Sequence, residues 1–165
     1  MRNIIPRVAA INDVSGFGRC SLTVISPVLS AMGVQVCPVP TAILSSHSGG
    51  FSGFSFHDFT QYMDEYIAHW RKLDLEFDCI YSGFLGSADQ IDIVDRFITS
   101  FTSGKKTKVV VDPVMGDDGV LYSTYTQVMQ SKIKELVRKA DIITPNLTEA
   151  CFLLDMEYTN VPIKD

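Results

Sequence analysis

The sequence predicts an α/β protein with a mainly parallel sheet covered by helices on both faces, a three-layer arrangement. Three observations predict it. Short β-branched runs alternate with amphipathic helical patterns at intervals of roughly 25 to 45 residues, the spacing of βαβ units. The run Val109–Val111 stops abruptly at Asp112-Pro113 and enters an acidic loop, VMGDDGVLY, as a parallel strand does at the sheet edge where ligands bind. The chain of 165 residues, 46% hydrophobic and 20% charged, has the balance of one soluble domain large enough to bury a core.

Taken in order, RVAAI (7–11) is a first strand, and NDVSGFG after it is a turn in which Gly16 and Gly18 permit tight curvature. A helix follows on Leu22, Ile25, Val28, Leu29 and Met32, with Pro27 predicting a kink or split and Gly33 the stop. The incomplete GxG is weak support for a dinucleotide site, because position 21 is Ser. VQVCPV (34–39) is a second strand that Pro38 places at an edge or irregular position, and 40–44 continues it.

Ser45–Ser55 has three glycines, five serines and two phenylalanines, which suits either a flap over a site or a surface loop with its aromatics packed down. His47 within it is a ligand contact or a loop hydrogen-bonder. Ser55 and Asp58 read as a helix N-cap ahead of the stripe Phe59, Tyr62, Met63, Tyr66, Ile67 and Trp70. FDCIYS (77–82) is a third strand. Ser87 and Gln90 then fit a capping box before Ile91, Val94, Phe97, Ile98 and Phe101, and Gly104 ends that helix.

After the fourth strand at 108–111 comes a helix over 126–139, then a fifth strand at 141–144 that runs into TPNLTEACFLL. Asn146 as N-cap and Glu149 at the third helical position make a second capping box, and a helix start at this sheet edge also attracts phosphate. Asp112, Asp117 and Asp118 fall close together, a crowding easiest to tolerate around water, a cation or cation-bound phosphates; the same dipeptides also make ordinary turns.

Bulk charge excludes some partners. A net charge of −5, with Lys105, Lys106 and Lys108 as the only basic cluster, argues against a nucleic-acid partner. Cys20, Cys37, Cys79 and Cys151 are too widely spaced for a metal knuckle and lie in apolar segments, as reduced, buried thiols of a cytoplasmic protein do. The short apolar run at the N-terminus, broken by Pro6 and Arg7, predicts neither a signal peptide nor a membrane span.

VVVDPVMGD followed by DIITPNLTEA resembles the pyridoxal kinase branch of the ribokinase-like family, whose fold is Rossmann-like. AINDVSGFG, PTAILSSHSGG and IYSGFLGS extend the likeness over nearly the whole chain. The resemblance implies a homodimeric enzyme that phosphorylates the 5′-hydroxymethyl group of pyridoxal, pyridoxine or pyridoxamine with ATP and Mg²⁺, with K⁺ as a further candidate cofactor. It implies that Asp112 and Asp117 act near Mg²⁺ and the phosphates and that Asn146 and Glu149 hold the metal's water shell. It also implies that Thr41, His47, Gly83 and Tyr122 line or close the vitamin pocket.

Two departures qualify it. Many pyridoxal kinases carry Ser-His where this chain has Asp13 and Val14. An Asp there resembles the hydroxymethylpyrimidine kinase branch and can pair with a protonated ring nitrogen or an amine. The family also carries a late G-T-G-D segment whose Asp is the catalytic base; the only G-x-G here is Gly16–Gly18. The expectation is therefore that the adenine-binding half and the catalytic base lie outside these residues, whether in a fragment or a truncated natural product, and that the chain alone does not turn over. A non-catalytic module that binds a heterocycle is the alternative from another class. A flavodoxin-like receiver domain leaves TPNLTEA and SSHSGGFSGF unexplained.

Overall fold

The computed structural model describes residues 5–48, 51–104, 106–122 and 124–160. Gly49 and Gly50 of the long loop, Lys105 of the basic cluster, Ser123 and the outermost residues of both termini lie outside the described residues. In chain order the elements are β1 (Arg7–Ser15), α1 (Ser21–Ala31), β2 (Gln35–Leu44), β3 (Phe56–Asp58), α2 (Thr60–Lys72), β4 (Cys79–Ser82) and α3 (Ala88–Thr102). There follow β5 (Lys108–Val111), β6 (Gly116–Asp117), β7 (Val120–Leu121), α4 (Gln127–Val137), β8 (Ile142–Ile143), α5 (Leu147–Leu153) and a 3₁₀ turn at Tyr158–Asn160.

The main sheet has the order β3-β2-β1-β4-β5-β8, parallel throughout except for the antiparallel β2–β3 pair. β6 and β7 form a separate two-stranded hairpin. Central position explains why β1 is buried along nearly its whole length. The strand outruns the predicted Arg7–Ile11 because its polar end is satisfied internally. Asn12 Oδ1 accepts from the N–H groups of Asp13 and Phe84, and Ser15 donates to Asp13. Polarity that reads as a turn is here a hydrogen-bonded strand end.

Chain direction sorts the helices. The step from β1 to β2 runs one way along the sheet and the later steps run the other, so right-handed crossovers put α1 on one face and α2, α3 and α4 on the opposite face. α2 packs on α3 and α3 on α4. Between them and the sheet lies the core, where Trp70, Phe77, Phe97 and Phe101 stack with neighbouring centroids as close as 4.5 Å. Phe77, Phe97 and Phe101 are buried and Trp70 partly so, and each fully buried large side chain contributes about 1.5–3 kcal/mol. By contrast Leu22 is the one residue of α1 that is buried.

Several local expectations change. α1 runs unbroken through Pro27, which is exposed, and closes in a Schellman motif: Gly33, at φ +80°, donates to Ser30 and Val34 donates to Leu29. Ser55 and Asp58 do not cap α2 as predicted. Residues 56–58 instead pair with the free edge of β2 at Ala42–Leu44, and Asp58 accepts from the N–H of Thr60 at 2.6 Å. Because β3 covers only that end of β2, Pro38 does sit where no strand needs its missing N–H.

The capping box at Ser87 is half made. Ser87 accepts from Gln90 N–H, but the Gln90 side chain turns inward to accept from Gly86 N–H and donate to Thr41 and Thr60. All four cysteines are free thiols; Cys151 is buried, and Cys20, Cys37 and Cys79 are only partly covered. No helix among the described residues is long and apolar enough to cross a membrane.

Candidate functional site

Parallel strands β1 and β4 leave a crevice at their C-terminal ends, because the chain goes to β2 on one side of β1 and to β4 on the other. A cavity of about 470 Å³ occupies this position, a size suited to one small ligand. Polar groups of β1 and the start of α1 (Asn12, Asp13, Ser15, Ser21) line one side. Phe54, Phe56 and Phe84 supply apolar walls, and Tyr81, Asp112 and Tyr122 close the end toward β5.

A bulge aims Asp13. β1 pairs with β2 in register up to Asn12–Pro40 and resumes at Val14–Ile43, so Asp13 alone faces Thr41 and Ala42. The Asp13 side chain is buried, and both of its oxygens are held by hydroxyls: Ser15 donates to Oδ2 at 2.9 Å and Ser21 donates to Oδ1. Ser21 is one of few non-glycine residues with positive φ, +53°. The bond to Asp13 helps hold that unfavourable backbone.

Above this wall the loop from Ser45 folds back. Its ends are pinned by Ser45 N–H to the Ser55 carbonyl and Ser55 N–H to Ser45 Oγ. His47 donates its N–H to the Phe17 carbonyl, its ring meets Phe51 edge-on at 4.9 Å, and it lines the cavity with Ser48. Gly18 is required below it: a Cβ there would lie 2.4 Å from the His47 ring, at φ +128°.

The opposite end is acidic. Tyr81 donates to Asp112 Oδ2 at 3.3 Å, and Thr144 also hydrogen-bonds this carboxylate. Burial nevertheless raises the Asp112 pKa, and burial together with Asp112 pushes Tyr81 up to about 12. Beyond Asp112 the hairpin turns at Asp118 and Gly119, both with positive φ, the geometry of a type I′ turn that Asp-Gly supplies. The start of α5 holds it in place. Asn146 donates to the Gly116 carbonyl, and Thr148 accepts from Gly119 N–H.

Glu149 joins the two pieces. Its Oε2 accepts from Asn146 N–H at 2.9 Å, completing the capping box, and its Oε1 accepts from Met115 N–H at 3.1 Å. The pKa of this buried carboxyl is raised, first by burial and also by Asp112 and Asp117, against the pull of the two N–H bonds. Tyr122 feels the same field: burial first, then Asp117, Glu149 and Asp112, push it up. Asp117 itself is exposed. No three acidic, His or Cys side chains among the described residues converge closely enough to ligate a metal directly. The oxygens of half-buried Asp112, buried Glu149 and exposed Asp117 are of the kind that hold a divalent ion through its waters.

Residues 27–163 match the phosphomethylpyrimidine kinase family model. The chain belongs to that family. Similar proteins include a candidate phosphomethylpyrimidine kinase from Bacteroides thetaiotaomicron solved with pyridoxal, 49% identical, TM-score 0.92, covering 97% of this chain and 55% of that one. A pyridoxal kinase from Leishmania donovani, solved with ADP and pyridoxamine, is 26% identical with TM-score 0.85 over 92% of this chain and 55% of its own. A pyridoxal kinase from Actinobacillus pleuropneumoniae is 32% identical over 80% of this chain and 47% of its own. The fold is thus ribokinase-like, and the chain spans about half the length of the curated relatives it matches.

Within this kinase family fold, Asp13, His47, Asp112 and Tyr122 come together around one cavity, while Asn146 and Glu149 stand behind the hairpin that carries Asp117. Thr41 and Gly83 do not line the cavity. Thr41 is fully buried and donates to the Phe84 carbonyl, and a Cβ at Gly83 would lie 2.1 Å from Asn12 Nδ2. Both shape the wall from behind. Sequence reading missed Ser21, Tyr81 and Phe84. Ser21 carried no motif, and Tyr81 and Phe84 read as strand and loop residues until the sheet order placed β4 beside β1.

Proposed function

We propose that this chain carries the substrate wall and metal-facing shell of an ATP-dependent kinase for the 5′-hydroxymethyl group of pyridoxal, pyridoxamine or pyridoxine. One observation carries the proposal: a single cavity has the Asp13 wall on one side and Asp112 and Tyr122 on another, next to the acidic hairpin. The relatives solved with pyridoxal, and with pyridoxamine and ADP, support the same reading. Asp13 accepts a hydrogen bond from the heterocycle, Phe54, Phe56 and Phe84 exclude water from its faces, and His47 and Tyr122 close over it. Bound Mg²⁺ supplies charge neutralisation at the phosphates. Asp112, Asp117 and Glu149 orient its waters, and Asn146 keeps the hairpin that bears Asp117 in place. K⁺ has no assigned residue.

Hydroxymethylpyrimidine is the second reading, favoured by the family's description and by an Asp at position 13. Two copies pair in this proposal through α1, since Cys20–His57 contains no Asp, Glu, Lys or Arg and Val28 of α1 and its C-cap Met32 are exposed. A face without charge presents no repulsion to its own image across a twofold axis. The enzyme works in the cytoplasm, where four unpaired cysteines stay reduced. Calorimetric titration of the chain with pyridoxal, pyridoxamine and hydroxymethylpyrimidine tests the assignment. A B6 vitamer binding more tightly than the pyrimidine is the expected result, and the opposite order selects the second reading.

A further inference from the structure

The buried side chains of α3 are apolar except for Gln90, which is fully buried among them. Its amide ties together three segments that are distant in the chain. Oε1 accepts from Gly86 N–H at 2.7 Å, and Nε2 donates to the Thr41 carbonyl of β2 at 2.8 Å and to Thr60 Oγ1 at the start of α2 at 2.9 Å. A backbone N–H on one side and a backbone carbonyl on the other demand an acceptor and a donor from one side chain, which a neutral amide supplies and a carboxylate or a hydrocarbon does not.

This knot stands behind the apolar wall of the cavity. Thr41 Oγ1 donates at 2.9 Å to the carbonyl of Phe84, whose N–H is already held by Asn12, so the Phe84 backbone is fixed on both sides. A Cβ at Gly86 would lie 3.5 Å from the tip of the Phe56 ring and 3.7 Å from the Phe84 ring, so both rings pack close over Gly86. Phe56 and Phe84 line the cavity, whereas Gln90, Thr41, Thr60 and Gly86 do not.

We propose that Gln90 is a positioning residue for the substrate: by clamping Gly86, Thr41 and Thr60 from behind, it sets where the Phe56 and Phe84 rings stand in the cavity. The proposal rests on the cavity being the substrate site. Without the clamp the Gly86 N–H has no acceptor, and the free chain relaxes until water reaches it. Ligand binding must then drive the wall back, which weakens affinity although no group that touches the ligand has been removed.

The test compares Gln90→Met, which keeps an unbranched side chain of similar length and removes both ends of the amide, with Ser87→Ala, which weakens the same helix start and leaves the clamp intact. In titrations with pyridoxal, affinity should fall about tenfold in Gln90→Met, the scale of one buried N–H left unpaired, and stay unchanged in Ser87→Ala. Thr60→Val, which has the same shape and lacks one arm of the clamp, should lose about threefold. Proton NMR of the ligand-free proteins reads the wall directly. The contact between the Phe56 ring and the Gly86 α-protons should be present in wild type and Ser87→Ala and lost in Gln90→Met.

Equal losses of affinity in Gln90→Met and Ser87→Ala would reduce Gln90 to a stabiliser of α3 and overturn the proposal, as would wild-type affinity in Gln90→Met. A Phe56–Gly86 contact retained in Gln90→Met would overturn it too. Should Gln90→Met fail to fold, wild-type affinity in Thr60→Val decides against the clamp in its place. If wild type binds no B6 vitamer while Gln90→Met still loses the ring contact, the substrate reading fails and the clamp stands.

Discussion

Two buried carboxylates, Asp13 and Glu149, stand at the same edge of one sheet and are held in opposite ways. Asp13 is clasped by two side-chain hydroxyls and has no acidic neighbour in hydrogen-bond contact; Glu149 is clasped by two backbone N–H groups and sits in the field of Asp112 and Asp117. Hydroxyls can rotate and be replaced one at a time, so the Asp13 end can be tuned to a ligand without disturbing the fold. Backbone donors cannot. The Glu149 end ties a charge to the architecture, which under the proposed function suits an invariant partner such as a metal-bound phosphate.

The largest effect should come from breaking the architectural end. Glu149→Ala strands the Met115 and Asn146 N–H groups and removes half of the capping box, for a loss of about 3 kcal/mol. Glu149→Gln has one acceptor oxygen where two are used, so it should cost about 1 kcal/mol rather than nothing, as a simple cap would predict. Urea unfolding of the three proteins checks the order; Gln equal to wild type would mean that the Met115 bond is dispensable.

Next in size is Gly83→Ala on the Asp13 side. Its Cβ would meet the Asn12 amide, which in turn organises the N–H groups of Phe84 and Asp13, so about 2 kcal/mol of stability should be lost along with vitamer affinity. Loss of stability with unchanged affinity would uncouple Asn12 from the wall.

Asp117→Asn then separates the ends functionally. It should weaken Mn²⁺ binding, followed by paramagnetic resonance, by about tenfold, or ~1.4 kcal/mol, and leave pyridoxal affinity untouched. A parallel loss of both would merge the two regions into one. Smaller still, Ser87→Ala should remove about 1 kcal/mol at the α3 cap and alter neither ligand.

How much of this was legible in the sequence follows the same division. The capping box of Asn146 and Glu149 and the acidic turn were visible because capping and Asp-Gly turns are local: residues three apart or adjacent report their own geometry. Pairing of Asp13 with Ser15 and Ser21 was not. Asn12 and Asp13 read as part of a turn because Gly16 and Gly18 follow them, and only Phe84 and Ser21, distant in sequence or strained in backbone, explain why the strand continues through them. Thr41 was placed in the pocket by the family resemblance alone; the bulge sets Ala42 and Thr41 opposite Asp13, and the Thr41 hydroxyl donates to the Phe84 carbonyl. Ser55 lost its cap role to an edge strand, a tertiary effect that no local pattern encodes.

The smallest expected effect is on pH dependence. Burial raises the pKa of Asp112 and Glu149 from their ordinary values of 3.8 and 4.5, so the folded chain holds these protons more tightly than the unfolded one. Their contribution to stability is complete below the ordinary values and is lost as pH rises through the raised ones. Thermal melting should therefore show a decline as pH rises above the ordinary values of 3.8 and 4.5, one that Glu149→Gln and Asp112→Asn flatten and that Mg²⁺ offsets once the carboxyls are ionised. A slope unchanged in both variants would contradict this assignment.

The most direct measurement is a pair of amide NMR titrations on the labelled chain, first with pyridoxal and then with Mg²⁺ and ADP. Two separate ligand regions predict that pyridoxal shifts Asp13, Ser15, Ser21 and His47, and that the nucleotide and metal shift Asp117, Asp118 and Gly119. Pyridoxal shifts centred on the hairpin, with the Asp13 wall silent, would contradict the account.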